Sequence, residues 1–256
     1  MTRFGQKISI LRKAKKVFKN WSIYPIAYLN LVQNKEIIFY TKTNKNIKIR
    51  RDSTDLMALT HVWLIEEYKY PGFEIKENDI IIDVGAHIGL FTLYASQFCN
   101  SGKIFSYEPM KENYRLLVNN VNENNLDNIR TFNFAVSNSE TVKLYINDDE
   151  SGHSMFSESS DFTTVDSISL EKIFDENGIE HCDFLKLDCE GAEYEIIESL
   201  PTEYFKKIKK IIIEYHMADS HPELLLKLKN NLESKNYKIE IKELFPDIGF
   251  LYAKRD

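Results

Sequence analysis

Beyond residue 80 the chain switches repeatedly between two hydrophobic patterns. Residues 80–84, 103–107, 130–136, 182–188, 209–216, 237–244 and 249–254 are short runs of strand length. Between them lie segments with apolar side chains every three or four positions: 88–98, 111–123 (Tyr114, Leu117, Val118, Val121), 170–177, the stretch after 190 (Tyr194, Ile197, Leu200), and 222–234 (Leu224, Leu225, Leu228, Leu232). The short runs read as strands and the longer repeat as helices. Alternating strands and helices predict an α/β fold: a doubly wound, mainly parallel seven-stranded sheet, Rossmann-like, with helices on both faces. Residues 237–244 and 249–254 are joined by a turn holding Pro246 and Asp247, so they are expected to be antiparallel neighbours. Residues 141–146 and 163–168 read as additional extended pieces. Residues 147–163 are polar and aperiodic, and a loop of that length in a compact domain is functional or disordered.

The first 72 residues follow another pattern. Ile8, Leu11, Val17 and Phe18 are set among lysines over 6–20. Residues 36–50 read as a hairpin around Asn44-Lys45-Asn46. Ser53 or Thr54 can cap a helix running to Ile65, and Pro71-Gly72 closes the unit. We expect residues 1–72 to be a helical and hairpin extension, able to cover a ligand cleft, and 73–256 to be the α/β domain.

Charge is uneven. The net charge is −6, yet residues 1–35 carry eight basic residues and no acid, which leaves −14 for the remainder. A body that acidic argues against a nucleic-acid partner. The basic segment has three open placements: against the domain, against a second subunit in a homodimer, or on an anionic membrane surface as an amphipathic helix. No apolar run is long enough to span a bilayer, and no secretory signal is evident. The three cysteines are scattered (Cys99, Cys182, Cys189), which argues for a reducing, cytoplasmic setting.

Candidate chemistry gathers at the ends of the predicted strands. Asp83 closes the first, and Gly85-Ala86-His87-Ile88-Gly89 turns into a helix. The glycines let backbone approach a ligand. The spacing departs from the dinucleotide and P-loop fingerprints, and an acid before the turn suits a cationic ligand. Glu108, before Pro109, closes the second strand, where an acid can accept hydrogen bonds from ribose hydroxyls. Lys186 and Asp188 share one strand face, as do Glu214 and His216. If these strands are neighbours, a lysine, two acids and a histidine meet at their carboxyl ends, with Glu190 next to them. A structural ion network and a site are both open readings. A metal on Asp188, Glu214 and His216 would have one nitrogen ligand, so no metal is expected. His216 is the best base by intrinsic pKa. His153, after Gly152 in the polar loop, is a candidate substrate contact, and so is Glu214.

The D-x-G-x-x-x-G turn resembles motif I of class I S-adenosylmethionine (SAM) methyltransferases. Taken in order, DVGAHIG, YEP, FNFAVS and DFLKLDCEGAEYEII resemble the FkbM family of SAM-dependent methyltransferases over about 80–216, most specifically in the Lys-x-Asp-x-Glu-Gly-Ala-Glu block at 186–193. Asp55 and the Glu66-Glu67-Tyr68 stretch are similar more weakly. The resemblance implies a cofactor turn lined by Asp83, Gly85, Ala86, His87 and Gly89. It implies ribose on Glu108, adenine beside Ala135 after Asn133, and Asp188 and Glu190 at the reaction centre; Lys186 and His216 join them as catalytic candidates from the strand pattern. It also implies methyl transfer to a hydroxyl of a carbohydrate, glycolipid precursor or related small molecule. The alternatives are a nucleotide-dependent oxidoreductase and a non-catalytic SAM-binding scaffold.

Overall fold

The fold, seen in a computed structural model, is described for residues 3–146, 153–154 and 162–255. Helices α1 (Arg3–Val17) and α2 (Ile23–Tyr28) turn Ala14, Tyr24 and Ala27 inward, with Phe18 buried between them. Strands β1 (Glu36–Tyr40) and β2 (Asn46–Arg50) pair antiparallel as the expected hairpin, with Ile37, Phe39, Ile47 and Ile49 on the buried face. Asn44 supplies the left-handed turn residue (φ 63°), a conformation asparagine tolerates. The single helix expected to follow has two parts. Helix α3 (Asp55–Leu59) runs into a π-helical turn, Thr60–Ile65, which left-handed Glu66 ends. Such turns mark sites where a helix is locally widened for function.

The sheet proper begins at β3 (Ile80–Val84), followed by α4 (Leu90–Ala95), β4 (Lys103–Tyr107), α5 (Lys111–Glu123) and β5 (Ile129–Phe132). A second, smaller sheet interrupts: β6 (Ala135–Val136), β7 (Thr141–Ile146), β8 (His153–Ser154) and β9 (Phe162–Ile168). Then come α6 (Leu170–Glu176), β10 (Phe184–Leu187), α7 (Glu193–Ser199), the short α8 (Thr202–Phe205), β11 (Lys210–Tyr215), α9 (Pro222–Ser234), β12 (Lys238–Glu243) and β13 (Gly249–Lys254). The main sheet has seven strands in the order β12-β13-β11-β10-β3-β4-β5. β13 runs opposite to the other six strands, which are parallel to one another. This is the doubly wound sheet expected from the alternating pattern.

Two expectations change. Residues 130–136 are not one strand: β5 ends at Phe132, and β6 joins the small sheet beside β9. Asn133 makes the break, its amide donating to the carbonyls of Glu108 (2.9 Å) and Pro109 (2.8 Å). The extended pieces at 141–146 and 162–168 are paired to each other, antiparallel.

Period-two alternation divides the core. Ile81, Phe184, Ile212 and Phe250 face α4, α5 and the N-terminal elements. Ile82, Leu185, Ile213 and Leu251 face α6, α7, α8 and α9. Residues 1–72 therefore share one hydrophobic core with the first sheet face and enclose none of their own.

Polar clamps fix that packing. Asn120, fully buried on α5, accepts from Lys48 N (2.8 Å) and donates to Lys48 O (3.0 Å) and Ile88 O (2.8 Å). Asn124, one turn on, repeats the exchange with the backbone of Asn46. Asn120 and Asn124 thus serve the open edge of β2 as a neighbouring strand would. Arg50 adds a bidentate pair with buried Asp55 (2.9 and 2.7 Å) and a bond to Asn113 (2.8 Å). Replacing Asn120 with Ala leaves one buried and two half-buried backbone groups without their partner, so urea unfolding should show a loss of at least about 2 kcal/mol; a loss below about 0.5 kcal/mol would mean that water replaces the amide.

Candidate active site

The turn after β3 is built by contacts that leave no space. Gly85 has φ 72°, and a Cβ there would lie 1.8 Å from the carbonyl oxygen of Asp188. Only glycine lets the turn and the end of β10 approach this closely. The turn is tied to the next strand through Glu108, whose Oε2 accepts from His87 N (2.8 Å) and whose Oε1 accepts from Met110 N (3.0 Å). Burial pushes the Glu108 carboxyl up to about 7 despite these donors. His87 takes a left-handed conformation. Burial pushes its ring down to about 4, so it is neutral at physiological pH although Asp55 lies 3.5 Å away.

Beneath the turn, Lys186 and Asp83 stand directly opposite on adjacent parallel strands. Lys186 Nζ lies 3.1 Å from Asp83 Oδ1 and 3.5 Å from Asp188 Oδ2, and it donates to Gly85 O (2.8 Å). The approach to Asp83 Oδ1 is ionic and off the hydrogen-bond direction, leaving that oxygen without a formal hydrogen bond. Asp83 Oδ2 accepts from the Thr92 hydroxyl (2.6 Å). Burial alone would strip charge from Lys186, but Asp83 and Asp188 more than offset it and hold its pKa above the ordinary value. The cation that Asp83 faces is therefore Lys186. Asp83 is fully buried and is absent from the cleft wall.

Above them opens a cleft of about 590 Å³, within the ordinary range of small-molecule sites. It lies at the carboxyl ends of β3, β4, β10 and β11, where ligands of open α/β sheets bind. Gly85, Ala86, His87, Glu108, Ala135, Lys186, Asp188, Glu190, Glu214 and His216 all line it. The expected juxtaposition is thus real, because β10 and β11 are neighbours. Asn133 and Gly89 are outside the wall: Asn133 braces the Glu108-Pro109 loop, and Gly89 packs against Leu117. The side chain of His153, and residues 147–152 around it, lie outside the described residues.

Two groups decide the electrostatics of the cluster. Tyr68, from the N-terminal unit, shares its buried hydroxyl between Asp188 Oδ2 (3.0 Å) and Glu214 Oε2 (3.2 Å). Glu193, fully buried, accepts from His216 N (3.0 Å) with an oxygen that also lies 3.1 Å from His216 Nδ1. Desolvation would lower the His216 pKa, but Glu193, with Glu190 and Asp188, drives it up to about 10. Its intrinsic pKa, the reason to expect a base there, does not survive in this setting: the ring is an imidazolium at neutral pH. Burial pushes Glu190, on a left-handed residue (φ 52°), up to about 7. Glu214 is pushed well up by burial and by Asp188 and Glu67. Asp188, Glu214 and His216 present ligand atoms within 4.8 Å of one another. A divalent ion there would have to displace the Tyr68 proton and the His216 proton and sit near the Lys186 ammonium.

Comparison with known proteins places this arrangement. The methyltransferase FkbM domain model matches residues 83–239. The chain belongs to the FkbM methyltransferase family. Among curated relatives, methyltransferase sdnD of Sordaria araneosa is 25% identical over 59% of this chain and 71% of its own length. The hexuronic acid methyltransferase AglP of Haloferax volcanii is 24% identical over 71% of this chain and 73% of its own. A solved FkbM methyltransferase from Methylobacillus flagellatus KT aligns with a TM-score of 0.51 at 18% identity, over 77% of this chain and 53% of that one. The present chain spans about half that protein, and the likeness concerns the fold: the class I methyltransferase architecture.

In this FkbM-family chain the His216–Glu193 pair has a defined pH signature. The folded pKa is raised above 6.5, so the pair adds stability that is complete below about pH 6.5 and is lost as pH climbs through about 10. The stability difference between wild type and Glu193→Gln should shrink over that window. The His216 ring signals in NMR should stay flat through neutrality, and a midpoint near 6.5 would disprove the pair.

Proposed function

We propose that the chain is a SAM-dependent O-methyltransferase acting on a hydroxyl of a carbohydrate or a related small molecule. The observation that carries the reading is a single cleft walled by Glu108 on one side and by the Asp188–Glu190–Glu214 carboxylates on the other. The described residues fit SAM. Gly85 leaves no side chain between ligand and backbone. Glu108 Oε1 already accepts from Met110 N and Asn113 Nδ2, while Oε2 has only His87 N and keeps a lone pair for a ribose hydroxyl. The carboxylates exceed the cations around them: burial first, and then Asp188 and Glu67, push the Glu214 pKa well up although His216 and Lys186 pull against them. A ligand bearing a sulfonium and an ammonium would relieve it. This cationic preference rests on the ends of β10 and β11, since Asp83 is neutralised by Lys186.

When bound, SAM supplies an electrophilic methyl group. The protein's own work is to orient an acceptor and take a proton. Glu190 is the base in this reading: its pKa of about 7 matches neutral operation, and it lines the cleft. His216, held as a cation with Nε2 3.7 Å from Glu190 Oε2, positions that carboxylate. Lys186 and Tyr68 act through Asp188, holding its carboxylate beneath the turn. Ser53, Thr54, Met57 and His61 of the N-terminal unit close the acceptor side. The hexuronic acid methyltransferase among the relatives supports a sugar acceptor.

Two measurements test the reading. Calorimetry should show SAM and S-adenosylhomocysteine binding, weakened by about 1–3 kcal/mol in Glu108→Ala; absence of binding by wild type would end the proposal. With an acceptor, found by transferring labelled methyl to fractionated glycans, kcat/KM should rise through about pH 7 in wild type. Glu190→Gln should lose about a hundredfold or more together with that pH dependence, and retention of both would remove Glu190 from the role.

A further inference from the structure

The outer face of the N-terminal helices gathers exposed apolar side chains close together in sequence. While Ala14, Phe18, Tyr24 and Ala27 point into the core, Trp21, Ile26, Tyr28, Leu29 and Leu31 are exposed, the last two by more than 60%. Local geometry gathers them. Ile26 and Leu29 are three apart at the end of α2, hence on one helix face. The chain then reverses at left-handed Asn30, and Leu31 N bonds back to Ile26 O (2.9 Å), which brings the Leu31 and Ile26 side chains together as in a helix-terminating motif.

Cations border this apolar tip. Lys7 Nζ lies 5.2 Å from the centre of the Tyr28 ring and Lys15 Nζ 5.6 Å from that of Trp21. Arg12, Lys13, Lys16, Lys19 and Lys35 complete a segment with no acid before Glu36. The acids that follow are already matched: Glu36 lies 3.7 Å from Lys48, and Asp52 is paired with Arg51. Positive charge beside exposed aromatic and leucine side chains fits a surface that offers anionic headgroups over hydrocarbon. A second copy of this chain would bring eight like charges against eight, which disfavours a symmetric contact through the same face.

We infer that α1, α2 and the turn at 29–31 dock the protein on an anionic lipid bilayer, with Ile26, Leu29 and Leu31 entering the interface and the lysines on the headgroups. The same N-terminal unit also carries the cleft wall from Arg50 to Tyr68.

The test is co-sedimentation of the full chain with vesicles of phosphatidylglycerol and phosphatidylcholine, against pure phosphatidylcholine. Binding should require the anionic lipid and weaken at least about tenfold at high salt. It should be lost in Leu29→Asp/Leu31→Asp and in Lys13→Glu/Lys16→Glu, with the unfolding transition of each variant retained. No sedimentation with the anionic vesicles overturns the inference, as does sedimentation that survives both double substitutions. A concentration-dependent dimer abolished by Leu29→Asp/Leu31→Asp, without vesicle binding, would assign the face to a second copy instead.

Discussion

One buried ammonium group ties the site together. Lys186 Nζ bonds the carbonyl of Gly85, faces Asp83 across two strands, and reaches Asp188. A lysine with a side chain 3% exposed keeps its charge only because both carboxylates stand against it. The glycine turn, the end of β10 and the carboxylate that faces the cleft are thereby held in one geometry. The rings of Tyr68 and Phe91 lie 5.6 and 5.9 Å from the same ammonium, adding cation–π attraction and keeping water away.

Tyr68 gives the N-terminal unit its importance. It comes from outside the Rossmann-like sheet, yet its hydroxyl joins the ends of β10 and β11. It reaches them because the hairpin is locked onto α5 by Asn120 and Asn124, and α3 onto the hairpin by Arg50 and Asp55. The π-helical turn and left-handed Glu66 then deliver the chain to Tyr68. A loosely attached lid would leave the Asp188–Glu214 pair without its shared donor.

Much of this was legible in the residues. Hydrophobic periodicity placed the main-sheet strands and the helices between them, but it ran β5 on into β6 and missed α8, a single short turn after Pro201 with too few residues for a repeat. Neighbouring strand ends brought Lys186, Asp188, Glu214 and His216 together as the sequence pattern implied. Illegible were the partners chosen across long chain separation. The Glu66-Glu67-Tyr68 stretch stood out by a weak resemblance, but nothing local says that Tyr68 meets Glu214 across 146 residues. The last acid of the 186–193 block opens α7, and nothing in its sequence setting shows that its buried carboxylate sets the charge of His216. Asn133 sits in the stretch expected to meet the adenine, yet its amide is spent on backbone carbonyls.

Side-chain pattern and glycine spacing were enough to read the alternation of strands and helices, the seven-stranded sheet, the glycine turn and the list of ionisable groups at strand ends. These depend on side-chain period and backbone sterics, which act over a few residues. The tertiary structure decided which charges pair. It gave Asp83 to Lys186, made His216 a cation, and pushed Glu190 towards neutrality. A pKa depends on burial and on charges a few ångströms away, and those distances exist only once β3, β10, β11 and the N-terminal unit have packed around one cleft.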